Sequence, residues 1–374
     1  MKRIIAAILL AAAMLGAVPA RADMDISAAC GILIEASTGE ALFEKNADKR
    51  TPIASVTKIM TLLLTAEAID GGRLKKEDVV TVSENAASMG GSQAYMEPGE
   101  KLTVHEMLKA VAVSSANDGA VALAEHIAGS ESAFVDKMNQ RARELGMNDT
   151  LFCNPTGLDD SAEPYSTARD VAKMSAELLK HRFILEYTSI WTDSIRNGAF
   201  GLANTNKLIR FYTGAVGLKT GSTSKAGYCV SAAAQRDGMT LVAVILGGTS
   251  SAARFEDAKT LLNYGFANYS VFDPKGVDAG PVRVRGGKRL TVDPVCPAPP
   301  MVVAKGSADR ISARSEIAPY LNAPVAKGQI IGKIIYEAEG KTIKELPVTA
   351  AEAVEKADAP FIFARLFRLI CFGG

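Results

Sequence analysis

The pattern of apolar and polar residues up to Phe272 predicts a domain in which helices alternate with a few strands. The predicted helices span 56–69, 103–113, 118–128, 131–145, 167–180 and 254–266. The segment Ala28–Leu42 predicts a strand, a turn and the start of a second strand, and the continuous apolar run Leu241–Leu246 favours a buried central strand. This order predicts an α+β fold of three layers, in which helices pack on a largely antiparallel sheet.

The pattern changes after Phe272, where short β-like stretches alternate with Gly and Pro. Examples lie at 282–285, 301–303 and 329–335, so 273–350 is predicted to be a small all-β domain. The larger domain before it, 23–272, is predicted to be the catalytic one. Residues 351–374 are predicted to be a linker and a tail. Phe361–Phe372 is apolar apart from Arg365 and Arg368, which fits an amphipathic helix lying on a membrane surface, with docking on the protein itself as the alternative.

The amino terminus has the layout of a secretory signal peptide. Lys2 and Arg3 precede an apolar run, Ile4–Val18, which small residues follow at 20–22, so residues 1–22 are predicted to be removed after Ala22 or Ala20. A retained membrane anchor is the alternative, but the run is shorter than the ~20 residues that span a bilayer. Export predicts that the protein works outside the cytoplasm, peripherally on the outer face of the cytoplasmic membrane.

Composition narrows the function further. Hydrophobic residues make up 48% of the chain and charged residues 22%, which is typical of a globular protein, and the net charge of +1 argues against a nucleic-acid partner. The five cysteines include no C-x-x-C pair and the three histidines include no H-x-x-x-H pair. We therefore expect neither a metal site nor a cofactor.

Candidate nucleophilic chemistry begins at Ser55, which is followed at the start of a predicted helix by Lys58. Residues three apart on a helix face the same side, and a lysine of lowered pKa can remove the proton that makes a serine hydroxyl a poor nucleophile. The pattern alone is weak, because it recurs at Ser222 and Lys225. That second copy lies in a Gly/Ser/Thr stretch that does not favour a helix start.

Two further short motifs follow along the chain. Ser115 and Asn117 lie between two predicted helices, where a hydroxyl and an amide can point into one cleft; the same pattern at 83–85 is interpreted as a helix cap. In Lys219–Gly221 the glycine would let a substrate backbone lie against a strand edge, and the lysine and neighbouring threonine hydroxyls offer donors for a carboxylate.

The three motifs together, with Ser115 sixty positions after Ser55 and Lys219 a further 104 on, resemble those of penicillin-binding proteins and class A β-lactamases. The chain resembles the low-molecular-weight penicillin-binding proteins, the serine D-Ala-D-Ala carboxypeptidases. The resemblance extends to Thr38-Gly39, 154–158, 166–170, 204–206, 324–329 and the tail. It implies a transpeptidase-like catalytic domain with the penicillin-binding/β-lactamase-like fold. It also implies that the protein trims peptidoglycan stem peptides and that β-lactams are covalent inhibitors.

The resemblance also implies a role for each matching residue. Ser55 would form the acyl-enzyme, Lys58 would act as its general base, and Ser115 would pass a proton to the leaving D-alanine. The backbone N–H groups of Ser55 and Ser222 would form the oxyanion hole. The substrate-binding residues implied in this way are Asn117, Lys219, Thr220, Gly221, Ser222, Thr223 and Arg254.

Two alternatives remain open from the sequence. A class A β-lactamase would typically carry an aspartate where Ala116 stands and a glutamate for deacylation, for which Glu163 is the only candidate and lacks the expected neighbouring asparagine. A non-catalytic cell-wall-binding protein with a decayed site is the second alternative, although all three motifs are intact. The motifs do not separate carboxypeptidase from endopeptidase activity.

Overall fold

The computed structural model describes residues 25–158, 163–274, 277 and 279–372, so the predicted signal peptide 1–22 lies outside the described residues. At the centre of the first domain is a five-stranded antiparallel sheet. In spatial order its strands are Ala41–Lys45, Cys30–Glu35, Met239–Gly248, Gly227–Arg236 and Ala215–Thr223. The prediction that 241–246 forms a buried central strand is confirmed.

Apolar side chains on both faces of the central strand are covered, which explains its unbroken hydrophobic run. Val242 and Val244 belong to one apolar core, whereas Leu241 and Ala243 belong to the core on the opposite face. Successive side chains of a strand point to opposite faces of a sheet. The sheet is therefore covered by helices on both faces, which gives the three layers that the sequence predicts.

The helices match the predicted ones to within a few residues. The longer ones are Lys58–Asp70, Val104–Val113, Asn117–Ala128, Glu131–Glu144, Ala168–Lys180 and Ser251–Asn268. Shorter helical turns lie at Ala54–Thr57, Glu84–Ala87, Arg182–Ile184, Leu185–Thr188, Arg196–Gly198 and Leu208–Phe211. Small strand pairs join Val79–Thr81 to Lys101–Thr103 and Thr192–Ile195 to Phe200–Ala203. The helix predicted from Val56 is preceded by a 3₁₀ turn, and its α-helical part begins at Lys58.

The strand Ala215–Thr223 forms one edge of the central sheet. It pairs antiparallel with Gly227–Arg236, and Lys219 lies opposite Ser231. Among the described residues no strand pairs with its other side. A bulge between Ala215 and Gly217 interrupts the ladder at one end, and the chain reverses after Thr223 at the other.

The second domain is all-β, as predicted. Its strands are Val282–Arg285, Thr291–Val292, Pro294–Val295, Met301–Ala304, Ile311–Ile317, Tyr320–Asn322, Ile330–Ala338 and Lys341–Ala350. They enclose a separate small core that includes Val284, Ile334 and Val348. The strand Tyr269–Phe272, at the end of the first domain, pairs with Met301–Ala304 of the second.

A helix, Ala359–Phe372, follows the second domain, as the amphipathic pattern of the tail predicts. Its apolar side chains are largely exposed: Phe363 is 73% exposed and Ile370 is 82% exposed. Within the described part of the chain, no helix has both the length and the apolar character needed to cross a bilayer.

Candidate active site

Ser55 lies in a sharp turn at the start of a long helix. The turn Ala54–Thr57 is 3₁₀-helical and leads directly into the helix Lys58–Asp70. Ala54 has a φ of 48°, in the left-handed region that side chains other than glycine rarely adopt. Such strain concentrates at functional sites, where the surrounding structure holds it in place. Here it reverses the backbone immediately before the serine.

Lys58 is fully buried beside Ser55. Its Nζ lies 2.9 Å from Ser55 Oγ, 2.5 Å from Asn117 Oδ1 and 2.8 Å from the carbonyl oxygen of Thr156. A neutral amine has two N–H groups and one lone pair. If the two N–H groups donate to Asn117 Oδ1 and to the Thr156 carbonyl oxygen, the lone pair faces the Ser55 hydroxyl.

The electrostatics of the cleft favour that neutral form. Burial of the ammonium lowers the pKa of Lys58 well below its ordinary value, and repulsion from Lys219 lowers it further, whereas the Asp118 carboxylate acts in the opposite direction. A buried lysine in its neutral form can accept the proton of a serine hydroxyl.

The loop 154–158 supplies a partner of Lys58 that the sequence motifs did not identify. Asn154 Oδ1 accepts hydrogen bonds from Thr156 N at 3.1 Å and from Gly157 N at 2.7 Å. This turn directs the Thr156 carbonyl at Lys58. Gly157 has a φ of 73°, and a Cβ built on it would lie 1.9 Å from the carbonyl oxygen of Ala54. The sequence shows turn-forming residues here, but not which group they present to the site.

Ser115 and Asn117 lie in the turn between the helices Val104–Val113 and Asn117–Ala128. Ser115 is 4% exposed and has a φ of 67°. The Asn117 side chain accepts from Lys58 and donates through Nδ2 to the carbonyl oxygen of Gly90 at 2.6 Å. Asn117 is therefore fixed on Lys58, while its expected contact with a substrate amide stays a prediction.

Asp118, the next residue, is a buried carboxylate that the sequence motifs also missed. It accepts hydrogen bonds from the backbone N–H groups of Ala94 and Met96, at 2.9 and 3.1 Å for its Oδ2. These bonds hold the loop that carries Gly90 against the helix bearing Asn117.

Lys219 and Thr220 lie on the edge strand, and both are buried. Lys219 Nζ donates to the carbonyl oxygen of Thr220 at 2.9 Å, and burial, with a smaller contribution from the charge of Arg254, lowers the pKa of Lys219 to about 7. Thr220 Oγ1 donates to Thr205 Oγ1 at 2.7 Å. Thr205, in the segment 204–206 that the family resemblance includes, is thus a further polar residue of the cleft.

Gly221 meets the turn that carries the nucleophile. A Cβ built on it would lie 2.8 Å from both the carbonyl oxygen of Ile53 and the amide nitrogen of Ser55. The sequence suggests that glycine makes room for a substrate. The structure adds a second reason, because any side chain here would collide with the Ser55 turn.

The remaining predicted residues surround the end of the edge strand. Ser222 is exposed, and Thr223 Oγ1 accepts from Ala226 N at 3.1 Å in the hairpin turn. Arg254 Nη1 donates to the carbonyl oxygens of Gly221 at 3.0 Å and Cys229 at 3.1 Å, so its guanidinium braces two strands. A contact between Arg254 and a substrate carboxylate stays a prediction.

The two repeats of the short motifs differ in structure from the first copies, as expected. Ser83 caps the helix Glu84–Ala87 by accepting from Ala86 N at 2.9 Å. Ser222 lies in a strand and Lys225 in an exposed turn, so this copy of the serine–lysine pattern does not begin a helix. Within the described ranges, no group of three or more His, Cys, Asp and Glu side chains could hold a metal ion.

Comparison with known proteins identifies the family. Residues 17–250 match the model of the D-alanyl-D-alanine carboxypeptidase family, and residues 269–356 match that of the C-terminal domain of penicillin-binding protein 5. The chain is 41% identical over 333 residues to the D-alanyl-D-alanine carboxypeptidase DacF of Bacillus subtilis, covering 87% of this chain and 85% of the relative. It is 33% identical over 342 residues to DacC of Escherichia coli, covering 88% and 85% respectively.

Solved structures agree with this assignment. Penicillin-binding protein 5 of Haemophilus influenzae is similar at a TM-score of 0.81 and 32% identity, with 91% of this chain and all of that one covered. The cefotaxime-bound penicillin-binding protein D2 of Listeria monocytogenes is similar at a TM-score of 0.61 and 33% identity, covering 66% and 100%. Of the enzyme classes that the sequence left open, these matches support the carboxypeptidase rather than the β-lactamase. The chain belongs to the D-alanyl-D-alanine carboxypeptidase family of serine peptidases.

Proposed function

We propose that this enzyme removes the terminal D-alanine of a peptidoglycan pentapeptide through an acyl-enzyme on Ser55. The observation that carries the proposal is the 2.9 Å approach of Lys58 Nζ to Ser55 Oγ, made by a lysine whose pKa burial lowers well below its ordinary value. A nucleophile and its base within hydrogen-bonding distance are the requirement for activating a serine.

In the first step, Ser55 Oγ attacks the carbonyl carbon of the penultimate D-alanine while its proton passes to Lys58 Nζ. The carbonyl oxygen becomes an oxyanion that the backbone N–H groups of Ser55 and Ser222 would stabilise. Oxyanion-hole donors of this kind are each worth roughly 3–4 kcal/mol. The position of Gly221 against the Ser55 amide supports this role, because it sets how closely the edge strand approaches the nucleophile turn.

In the second step, the C–N bond breaks and the amine of D-alanine leaves with a proton delivered through Ser115. Lys58 supplies that proton, which returns it to the neutral form. Water then attacks the ester carbonyl and gives a proton to Lys58. As the ester bond breaks, Lys58 passes this proton to Ser55 Oγ, and the shortened peptide is released. The burial of Ser115 in the turn next to Asn117, which binds Lys58, supports a proton relay by Ser115.

The terminal carboxylate of the substrate would be held at the edge strand by Lys219, Thr220 and Thr223. A carboxylate near Lys219 favours its charged form and so offsets the burial that lowers its pKa to about 7. Arg254 would contribute positive charge from behind the same strand, where it binds the carbonyl oxygen of Gly221.

β-Lactams would acylate the same serine. The Listeria monocytogenes relative was crystallised in cefotaxime-bound and ampicillin-bound forms, and its similarity to this chain supports a covalent adduct here. A β-lactam carries its leaving group within the ring, so the acyl product blocks the site.

The test is mass spectrometry of a synthetic pentapeptide after incubation with enzyme, together with labelling by a fluorescent penicillin. We expect the loss of one terminal alanine and one covalent label per chain. Ser55→Ala should abolish both, whereas the exposed serine of the second domain, Ser312→Ala, should change neither. Retained labelling of Ser55→Ala would contradict the assignment of the nucleophile.

We further propose that the mature enzyme is exported and that its tail holds it on the outer face of the cytoplasmic membrane. The apolar side chains Phe363, Phe367 and Ile370 of the helix Ala359–Phe372 are 73%, 56% and 82% exposed. A helix that exposes such groups beside two arginines suits the headgroup region of a bilayer.

A further inference from the structure

A second cleft, of about 390 Å³, lies close to the nucleophile turn. Its walls include Arg50, Pro52, Glu163, Tyr165 and Lys225. Pro52 precedes Ser55 by three residues, which places their Cα atoms within about 11 Å of each other at full extension. Lys225 is the second residue after the end of the edge strand at Thr223. The cleft therefore adjoins the catalytic groups without containing them.

Two opposite charges in this cleft lack ion-pair partners among the described residues. Lys225 and Glu163 are both exposed, and no carboxylate or cation of that part of the chain lies within salt-bridge distance of either. Arg50 is already engaged, since it binds Asp149 at 2.7 Å and lies 4.8 Å from the centre of the Tyr165 ring. With respect to the described part of the chain, the cleft thus presents one cation and one anion without an ion-pair partner.

The direction of the edge strand relates the cleft to the substrate. If a peptide adds antiparallel to Ala215–Thr223 with its carboxylate near Lys219, its preceding residues run past Ser222 towards Lys225. The residue immediately before D-Ala-D-Ala then lies two residues, or roughly 7 Å, from the terminal D-alanine of the bound substrate. From there a long side chain can reach the cleft. This step rests on the proposed function.

We propose that the cleft is a specificity subsite for the side chain of the residue that precedes D-Ala-D-Ala, and that this side chain ends in both an ammonium and a carboxylate. Glu163 receives the ammonium and Lys225 receives the carboxylate. The body of the side chain lies against Pro52 and the ring of Tyr165. A side chain with an ammonium alone satisfies Glu163 and leaves Lys225 without a partner.

The test compares kcat/KM on three pentapeptides that differ only in the residue before D-Ala-D-Ala: meso-diaminopimelate, lysine and Nε-acetyl-lysine. We expect wild type to prefer the diaminopimelate peptide over the lysine peptide by about fivefold, the upper range for an exposed ion pair. Lys225→Met should reduce that ratio to about one. Glu163→Gln should reduce the ratio between the lysine and acetyl-lysine peptides, also by up to about fivefold.

Lys341→Met is the matched control, because it removes an exposed lysine in the second domain and should leave every ratio unchanged. Equal kcat/KM for all three peptides in wild type would overturn the subsite, as would a diaminopimelate preference that survives in Lys225→Met. Release of D-alanine from the acetyl-lysine peptide keeps the proposed function independent of these results. If D-alanine is released from none of the three peptides, both the proposed function and the subsite are overturned.

Discussion

Gly221 lies so close to the turn bearing Ser55 that an added methyl group would be 2.8 Å from the Ser55 amide nitrogen. This contact joins the edge strand of the sheet to the start of the helix Lys58–Asp70. Ser55 and Ser222, whose amides are the two proposed oxyanion donors, belong to the two segments that this contact brings together.

Gly221→Ala should lower kcat/KM by about 10²-fold, because separating the strand from the turn weakens an oxyanion donor. The measurement is steady-state release of D-alanine, with thermal unfolding to show that the variant is folded. Gly201→Ala is the control, since a Cβ there meets nothing within 4 Å. A fully active Gly221→Ala variant would show that the strand and the turn separate without cost.

Gly157→Ala should impair both stability and acylation, because a Cβ there would collide with the Ala54 carbonyl and displace the Thr156 carbonyl from Lys58. We expect a loss of unfolding free energy of roughly 1–3 kcal/mol from overpacking and slower labelling by penicillin. Gly146→Ala separates the causes. Gly146 has a φ of 66°, similar to the 73° of Gly157, but a Cβ there meets nothing within 4 Å. Similar labelling rates in the two variants would argue against the displacement of Thr156.

The pH dependence of kcat/KM should be bell-shaped. On the acid side, activity falls when Lys58 is protonated, at a pKa well below the ordinary lysine value. On the alkaline side, kcat/KM falls as Lys219 loses its charge, at a pKa of about 7 in the free enzyme. Because a bound carboxylate favours charged Lys219, the alkaline limb of kcat should lie at higher pH than that of kcat/KM.

Lys219→Arg offers the control for the alkaline limb, because a guanidinium stays charged over the accessible pH range. We expect a lower kcat/KM whose acid limb remains and whose alkaline limb is lost. If the alkaline limb is unchanged in this variant, a group other than Lys219 controls it.

Deletion of 359–374 should move the protein from the membrane fraction to the soluble fraction without changing its kcat/KM on a soluble pentapeptide. The physical reason is the loss of the exposed apolar helix Ala359–Phe372. A variant with Phe363→Ser and Phe367→Ser tests the same point while retaining the length of the chain. Unchanged fractionation of both variants would show that the tail does not hold the protein on the membrane.

Local patterns predicted the elements that carry the site well. The predicted helices 103–113 and 254–266 correspond to Val104–Val113 and Ser251–Asn268. The structure adds their caps, a capping box of Thr103 with Glu106 and the side chain of Ser250. The three-residue spacing of Ser55 and Lys58 placed their side chains together because neighbours on a helical turn share a face, whether the first turn is 3₁₀ or α.

Contacts between distant segments could not be predicted in the same way. The Thr156 carbonyl reaches Lys58 across 98 positions of sequence, and no local pattern encodes that encounter. The need for glycine at 157 and 221 likewise depends on which backbone lies opposite, which only the folded arrangement determines. Arg254 illustrates a third case, because its bonds to two carbonyl oxygens use a charged side chain as a brace between strands.

The open side of the strand Ala215–Thr223 has a consequence for the behaviour of the molecule in solution. An unpaired sheet edge is a template for any extended chain and hence a route to aggregation. Here the regular stretch between the bulge at Ala215–Gly217 and the reversal after Thr223 runs from Gly217 to Thr223. A peptide of a few residues fits within this stretch, whereas a longer strand from a neighbouring molecule would extend past both of its ends.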